Sequence, residues 1–394
     1  MRSYYDLIPG HNTASKQPKR FPDNYPKQIV KGKGAYIWDD KGNKYLDFMC
    51  SLGPIILGHN YPSVTEAVTR AIKEGTIFSL SHPLERALSE LLCGIIPSAE
   101  MVRLATNGKD VTEAAVRLAR HVTGREMILS FSYHGASDVF MACTKANKGV
   151  PKCLKKTIKD FDYNDEKALV KLFDTYEIAA VIMEPHTIRP PLPGYLKFVR
   201  DICNQHGTLL IFDEVVSFPR YIDFSAQSFF DVTPDLTCIS KGMANGFPIS
   251  ALVGKEKYMK HFRDGGVFFS TTYGGNVVGC AAAIATLTEV IDKQVPTHIW
   301  DMGSLFRAEI QRDSRIKTIG YPCRQFFECS DEIRQKVWQE MIKEGVFLGV
   351  PIFFNYSMKP SDILMATKKL NKVIDNLVSI KLKGGKVKEV FKKR

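Results

Sequence analysis

Apolar positions along the middle of the chain fall into two alternating kinds of run. Ala179-Ala-Val-Ile-Met183 and Thr208-Leu-Leu-Ile-Phe212 are short and continuously apolar, as strands covered on both faces are. Tyr195 to His206 reads as the helix between them. Upstream, Thr112 to Val122 sets Ala115, Val116, Leu118 and Ala119 at helical spacing with Arg117 and Arg120 between them, and Met127-Ile-Leu-Ser-Phe131 follows as a strand. Alternating strands and helices predict an α/β layer structure with a largely parallel sheet.

The two ends of the chain are patterned differently. Gly34 to Phe48 is two alternating runs around Lys41-Gly-Asn43, which predicts a hairpin. Near the other end, Asp331 to Glu344 reads as helix, Val346 to Phe354 as extended chain and Ser361 to Leu377 as helix. The ends therefore predict an α+β unit flanking the central α/β domain. No internal repeat or low-complexity linker interrupts the chain.

Composition narrows the class. The chain has 394 residues, 44% of them hydrophobic and 24% charged, enough for a large core and unlike a disordered protein. No apolar run is long enough to cross a bilayer, and Met1 to Arg20 has no apolar stretch of signal-peptide type, so a cytoplasmic protein is expected. The nine cysteines are odd in number and lack zinc-finger spacing, which predicts neither a disulfide framework nor a metal site. The formal charge is +12, but the last fourteen residues, 381–394, carry seven Lys or Arg against one Glu, half of the excess. That tail reads as a solvated extension rather than a nucleic-acid arm, since Phe391 is its one aromatic residue.

Four segments carry candidate chemistry. Asp213 directly follows the strand ending at Phe212, and ligands in open α/β sheets bind at the carboxyl ends of strands. Alone it reads equally well as a loop acid or a helix cap. Lys241 lies in Cys238-Ile-Ser-Lys-Gly-Met-Ala-Asn-Gly-Phe-Pro248, between an apolar strand and a glycine-bearing turn. Partial burial there lowers a lysine pKa, and only the neutral amine forms an imine or acts as a base. A surface lysine beside a turn is the plainer reading. Asn107-Gly108-Lys109-Asp110 opens onto the Thr112 helix, where unpaired N–H groups can meet a phosphate and Lys109 can add charge. Tyr133-His134-Gly135 follows a strand, and its tyrosine can stack on an aromatic ring; a turn with a core aromatic explains it as well.

Together, in this order, these segments resemble the class III aminotransferases of fold type I over nearly the whole chain, and among them glutamate-1-semialdehyde 2,1-aminomutase and its relatives. The likeness also rests on Gly32-Lys-Gly-Ala-Tyr-Ile-Trp-Asp39, Ser51 to His59, Val116-Arg-Leu-Ala-Arg120, Met183-Glu-Pro185, Ile211-Phe-Asp-Glu-Val215, Arg220, Ser240-Lys-Gly242 and Thr272-Tyr-Gly-Gly-Asn276. It implies a large domain, about residues 60–290, with a mostly parallel seven-stranded sheet. It implies a smaller α+β domain from residues 1–59 and 291–394. The implied cofactor is pyridoxal 5'-phosphate, held by Lys241 as a Schiff base, with Asp213 on the pyridinium nitrogen as the electron sink's partner.

By the same likeness Val215 and Tyr133 flank the ring, Gly108 and Lys109 occupy the phosphate loop, and Glu184 is an active-site acid. Thr272 matches a threonine that reaches the neighbouring subunit's phosphate, which implies a homodimer with shared active sites. Ser51 lines the substrate pocket. Lys16 stands where the aminomutases carry an arginine, Lys109 where the family has threonine, and the stretch 186–194 is shorter and proline-rich. Arg offers a bidentate fork and Lys a point charge, so the first exchange bears on the substrate rather than the cofactor. The expected activity is amino transfer from a small amino donor to a carbonyl acceptor. Its alternative is intramolecular transfer by a 2,1-aminomutase, and a third reading is a cofactor-binding relic or a nucleic-acid-associated protein exploiting the basic tail.

Overall fold

A computed structural model describes residues 8, 12–311 and 313–383; most of the basic tail, from residue 384 on, lies outside them. The chain forms two compact units. One comprises residues up to Leu52, Gly58–Asn60 and the chain from Ile299 onward; the other comprises Gly53–Leu57 and Tyr61–His298.

The first unit begins with β1 (Ile29–Lys33), β2 (Tyr36–Asp39) and β3 (Lys44–Asp47). The hairpin pairs Tyr36 with Leu46 and Trp38 with Lys44. Asp39 closes its turn by accepting from Lys41 N and Asn43 N, and Gly42 supplies the positive φ of 83°.

The second unit is built on a seven-stranded sheet: β4 (Met101–Ala105), β5 (Met127–Phe131), β6 (Ile158–Asp160), β7 (Ile178–Met183), β8 (Leu209–Asp213), β9 (Leu236–Ile239) and β10 (Ser250–Gly254). The order is β4-β10-β9-β8-β7-β5-β6, and β10 runs antiparallel to both of its neighbours. The remaining pairings are parallel. The apolar runs predict this largely parallel α/β sheet, and the family resemblance implies its fold type I form with seven strands. Alternate residues of each strand enter different cores. Ile128, Ile182 and Ile211 pack with Val111, Ala115 and Leu118 of the helix Gly108–Thr123. Leu129, Val181, Met183, Leu210 and Phe212 pack with Leu169, Val199 and Cys203 of the helices Glu166–Thr175 and Tyr195–His206. Each such buried side chain contributes roughly 1.5–3 kcal/mol, which explains why β7 is apolar without interruption.

The first unit resumes with β11 (Lys317–Tyr321), β12 (Arg324–Glu328), β13 (Val346–Phe347) and β14 (Ile352–Phe353). The segment 346–354, one extended run by its pattern, divides between two sheets. β13 lies parallel to β3 and β14 antiparallel to β12. Helices Asp331–Lys343 and Pro360–Asp375 match the helical patterns of this region. Phe48, Phe306 and Phe354 form its aromatic centre, with ring centroids 5.2–5.7 Å apart.

No helix among the described residues is long and apolar enough to cross a membrane, and no group of three or more described His, Cys, Asp or Glu residues is placed to hold a metal ion. The nine cysteines are free thiols.

Candidate active site

Five strand ends meet along one edge of the large sheet. Asn107 and Gly108 follow β4, Ser132 to Gly135 follow β5, Glu184 follows β7, Asp213 to Val215 end β8, and Lys241 follows β9. A parallel sheet puts the carboxyl ends of its strands side by side, so these residues converge although the sequence spreads them over more than a hundred positions.

Asp213 is buried, and its Oδ2 lies 2.6 Å from Nδ1 of the buried His134. Its Oδ1 accepts from Val215 N at 3.0 Å, and Val215 lies against the start of the helix Gly108–Thr123. A Cβ on Gly108 would sit 3.0 Å from both Val215 methyl groups, tighter than ordinary side-chain contact. A larger residue where the helix Gly108–Thr123 begins would therefore need Val215 to give way by a few tenths of an ångström. Asp110 fixes that helix start by accepting from Asn107 N at 2.9 Å. Ser250 Oγ donates to Asn107 O at 2.9 Å.

His134 is tied to the same helix, since Thr112 Oγ1 donates to its carbonyl at 2.7 Å. A Cβ on Gly135, whose φ is 106°, would come within 3.0 Å of Lys109 Cβ. Segments 107–112, 132–135 and 213–215 thus form one contiguous cradle. Glu184 is buried beside it and accepts a hydrogen bond from Ser132 Oγ. Tyr133 is about half exposed, and its partial burial raises the phenol above its ordinary pKa.

Lys241 is partly buried and opens the turn Lys241–Ala244 at φ 44°, a left-handed conformation that is uncommon for lysine. A Cβ on Gly242 would meet Phe218 O and Pro219 Cδ, each at 3.0 Å. The turn is thus pressed against the loop that follows Asp213.

The other predicted residues are placed differently. Lys109 Nζ is 3.4 Å from Glu113 Oε2 on an open face of its helix. Thr272 is an exposed turn residue and takes part in none of the contacts above. Ser51 and Lys16 belong to the first unit. Lys16 is exposed at the end of a short turn. Ser51 is exposed at φ 53° between Cys50 and Leu52, which also have positive φ, and Asp47 Oδ1 supports that turn by accepting from Met49 N and Cys50 N. The triplet Tyr133-His134-Gly135 offers a histidine able to hydrogen-bond nearby, and the structure supplies the partner that the sequence did not name, Asp213.

A cradle with a closely packed glycine at a helix start, a buried acid–imidazole pair and a lysine on the adjoining turn suit an anionic aromatic cofactor. Such a set is compatible with lysine-imine chemistry on a fold type I scaffold. The chain belongs to the aminotransferase class-III family, whose profile matches residues 19–350. It is 38% identical over 316 residues to the 3-aminobutyryl-CoA aminotransferase of Cloacimonas acidaminovorans, covering 78% of this chain and 75% of that one. It is 36% identical over 385 residues to glutamate-1-semialdehyde 2,1-aminomutase 1 of Listeria welshimeri, covering 87% and 88%. Among solved structures, the pyridoxal-phosphate internal aldimine form of the Sphingopyxis sp. MTA144 FumI protein superposes with a TM-score of 0.89 at 25% identity, over 96% of both chains.

Proposed function

We propose that this class III aminotransferase moves an amino group from a small amino donor to a carbonyl acceptor by way of Lys241. Its cofactor is pyridoxal 5'-phosphate, which supplies an electron sink for a substrate carbanion when bound. The observation that carries the assignment of residues is the convergence of Asp213, His134, Val215, Gly108 and Lys241 at one sheet edge.

Each residue then has a definite task. Asp213, anchored by His134 and by Val215 N, presents a carboxylate that keeps a ring nitrogen protonated. The first N–H groups of the helix from Gly108 receive the phosphate. Val215 and Tyr133 enclose the ring. Lys241 Nζ would hold the cofactor and would carry the substrate α-proton; a placed base of this kind is worth roughly 10²–10⁴ in rate. Glu184 is an acid at the pocket wall, and Ser51 and Lys16 contribute to substrate selection. Lys109, with Glu113 beside its ammonium, adds positive potential at the phosphate loop rather than a hydroxyl bond. The enzyme works as a cytoplasmic homodimer in which Thr272 serves the partner's phosphate site. The exposed position of Thr272 and its neighbour Tyr273 supports that arrangement.

A 2,1-aminomutase is the second reading, favoured by the 36% identity to the Listeria enzyme. It predicts turnover of an amino-aldehyde without any external donor. The deciding experiment for the leading reading is the visible spectrum of enzyme supplied with pyridoxal phosphate. A band that Lys241→Ala abolishes and that an amino donor bleaches is expected. A band indifferent to Lys241, or a protein that takes up no cofactor, overturns the assignment.

A further inference from the structure

Asn245 is buried at the end of the turn that Lys241 opens, and it too has a left-handed backbone, φ 45°. Its Oδ1 accepts two main-chain hydrogen bonds, from Ile56 N and from Leu57 N, each at 3.0 Å. Ile56 and Leu57 are fully buried, so no water replaces those bonds if they are lost. Beside them, a Cβ on Gly246 would touch Ile55 Cδ1 at 3.0 Å. The segment Gly53–Leu57 therefore lies directly on the Lys241 turn, within the same compact unit.

The segment is held at its other end as well. The buried Arg220 donates from Nη2 to Gly53 O. Arg220 belongs to the loop whose Phe218 and Pro219 press on Gly242. A closed circuit results: from Lys241 through Asn245 to Ile56 and Leu57, along to Gly53, through Arg220 to Phe218, and back to Gly242. An L residue keeps a left-handed backbone only where its surroundings fix it, and this circuit surrounds Lys241. Glycine at position 245 would satisfy the φ of 45° with less strain. Asparagine instead provides the acceptor on which the circuit depends.

We propose that Asn245 is a positioning residue for amino transfer: by clasping Ile56 and Leu57 it holds the Lys241 backbone in the left-handed form that aims Nζ at the cofactor. The proposal rests on Lys241 being the reactive lysine. Asn245 acts through the backbone and touches no reacting atom.

Two variants separate the clasp from backbone strain. Asn245→Gly keeps the φ and removes the acceptor; Asn245→Asp keeps an acceptor of the same length. In the cofactor-free full chain, amide hydrogen exchange at Ile56 and Leu57 should quicken by about tenfold or more in Asn245→Gly and stay near wild type in Asn245→Asp. With cofactor bound, kcat should fall about tenfold or more in Asn245→Gly with KM for the donor within about twofold, while Asn245→Asp stays within about threefold of wild type. Unchanged exchange in Asn245→Gly overturns the clasp. Faster exchange with unchanged kcat overturns its role in positioning. Should Asn245→Gly fail to fold, Asn245→Asp decides, because exposed Ile56 and Leu57 amides in it refute the proposal. Lys241→Ala tests the underlying reading separately: a visible band that survives there removes the lysine's role and leaves the exchange result standing.

Discussion

Asp213 and Glu214 are adjacent in the chain, both buried, and lead into different surroundings. Asp213 faces an imidazole, His134 Nδ1 at 2.6 Å, and opens onto the cradle of Gly108 and Val215. Glu214 turns into a network of neutral donors. It accepts from Ala226 N at 2.6 Å, from Gln227 N and Nε2 at 3.3 and 3.2 Å, and from Ser217 Oγ at 3.5 Å. Gln227 Nε2 also reaches Thr237 Oγ1, which is 2.8 Å from Ser98 Oγ. Burial pushes the Glu214 carboxyl up to about 7, against the lowering effect of these donors. Two equal carboxylates thus receive separate tasks from their environments. In the proposed function Asp213 meets the chemistry, while Glu214 anchors the loop that carries Phe218, Pro219 and Arg220.

The largest effect expected from breaking this division is at Asp213. Asp213→Asn should lower kcat roughly 10³-fold, the scale of losing one preorganised electrostatic group, with little change in folding. Glu214→Gln should change kcat by less than about tenfold, since it acts only through the loop. Steady-state kinetics on the two purified variants decide the matter, and equal losses would erase the distinction.

Stability should show the reverse order. The folded carboxyl of Glu214, at about 7, is raised above the ordinary 4.5. Between those values the folded chain keeps a proton that the unfolded chain has released. The stabilising contribution is therefore complete below about pH 4.5 and is lost as pH rises through 7. The change is about 3 kcal/mol across that window. Urea unfolding of wild type against Glu214→Gln at pH 5 and pH 8 measures it, because the glutamine variant lacks this slope. A parallel pH dependence in both proteins would place the titration elsewhere.

His134 sharpens the other half of the comparison. His134→Phe leaves Asp213 Oδ2 without its imidazole and should lower kcat roughly tenfold, the effect of one unsatisfied buried acceptor. Loss of activity without any change in the pH profile of kcat would reduce His134 to packing.

Legibility in the sequence follows the same division between local and distant information. Tyr195–His206 and β7 and β8 were readable because apolar periodicity is a local property and these elements bury every face the pattern marks. Residues 346–354 were readable as extended, but not as two strands in two sheets, because an apolar run does not record which strand it will pair with. Asp213 and Lys241 stood out as polar residues at the ends of apolar strands. His134 was readable only as a histidine able to hydrogen-bond nearby, because its partner lies 79 positions away and a turn explains the triplet equally well. Glu214 went unremarked for a related reason: its raised pKa comes from burial by the surrounding fold, a long-range outcome with no local pattern.

The smallest expected effect lies at Ser217, and it tests how far the anchoring network reaches. Its hydroxyl is 3.5 Å from Glu214 Oε2, at the limit of a hydrogen bond, whereas Ala226 N is at 2.6 Å. Ser217→Ala should therefore cost only about 0.5 kcal/mol. The hydroxyl favours the charged carboxylate, so removing it raises the Glu214 pKa further and the deficit should be greatest above pH 7 and fade below it. Because Ser217 belongs to the anchor and not to the cradle, kcat should be unchanged in the same preparation. A tenfold fall in kcat would mean that the loop transmits even this weak contact to Gly242 and the lysine beside it, and that the two neighbouring acids share one task.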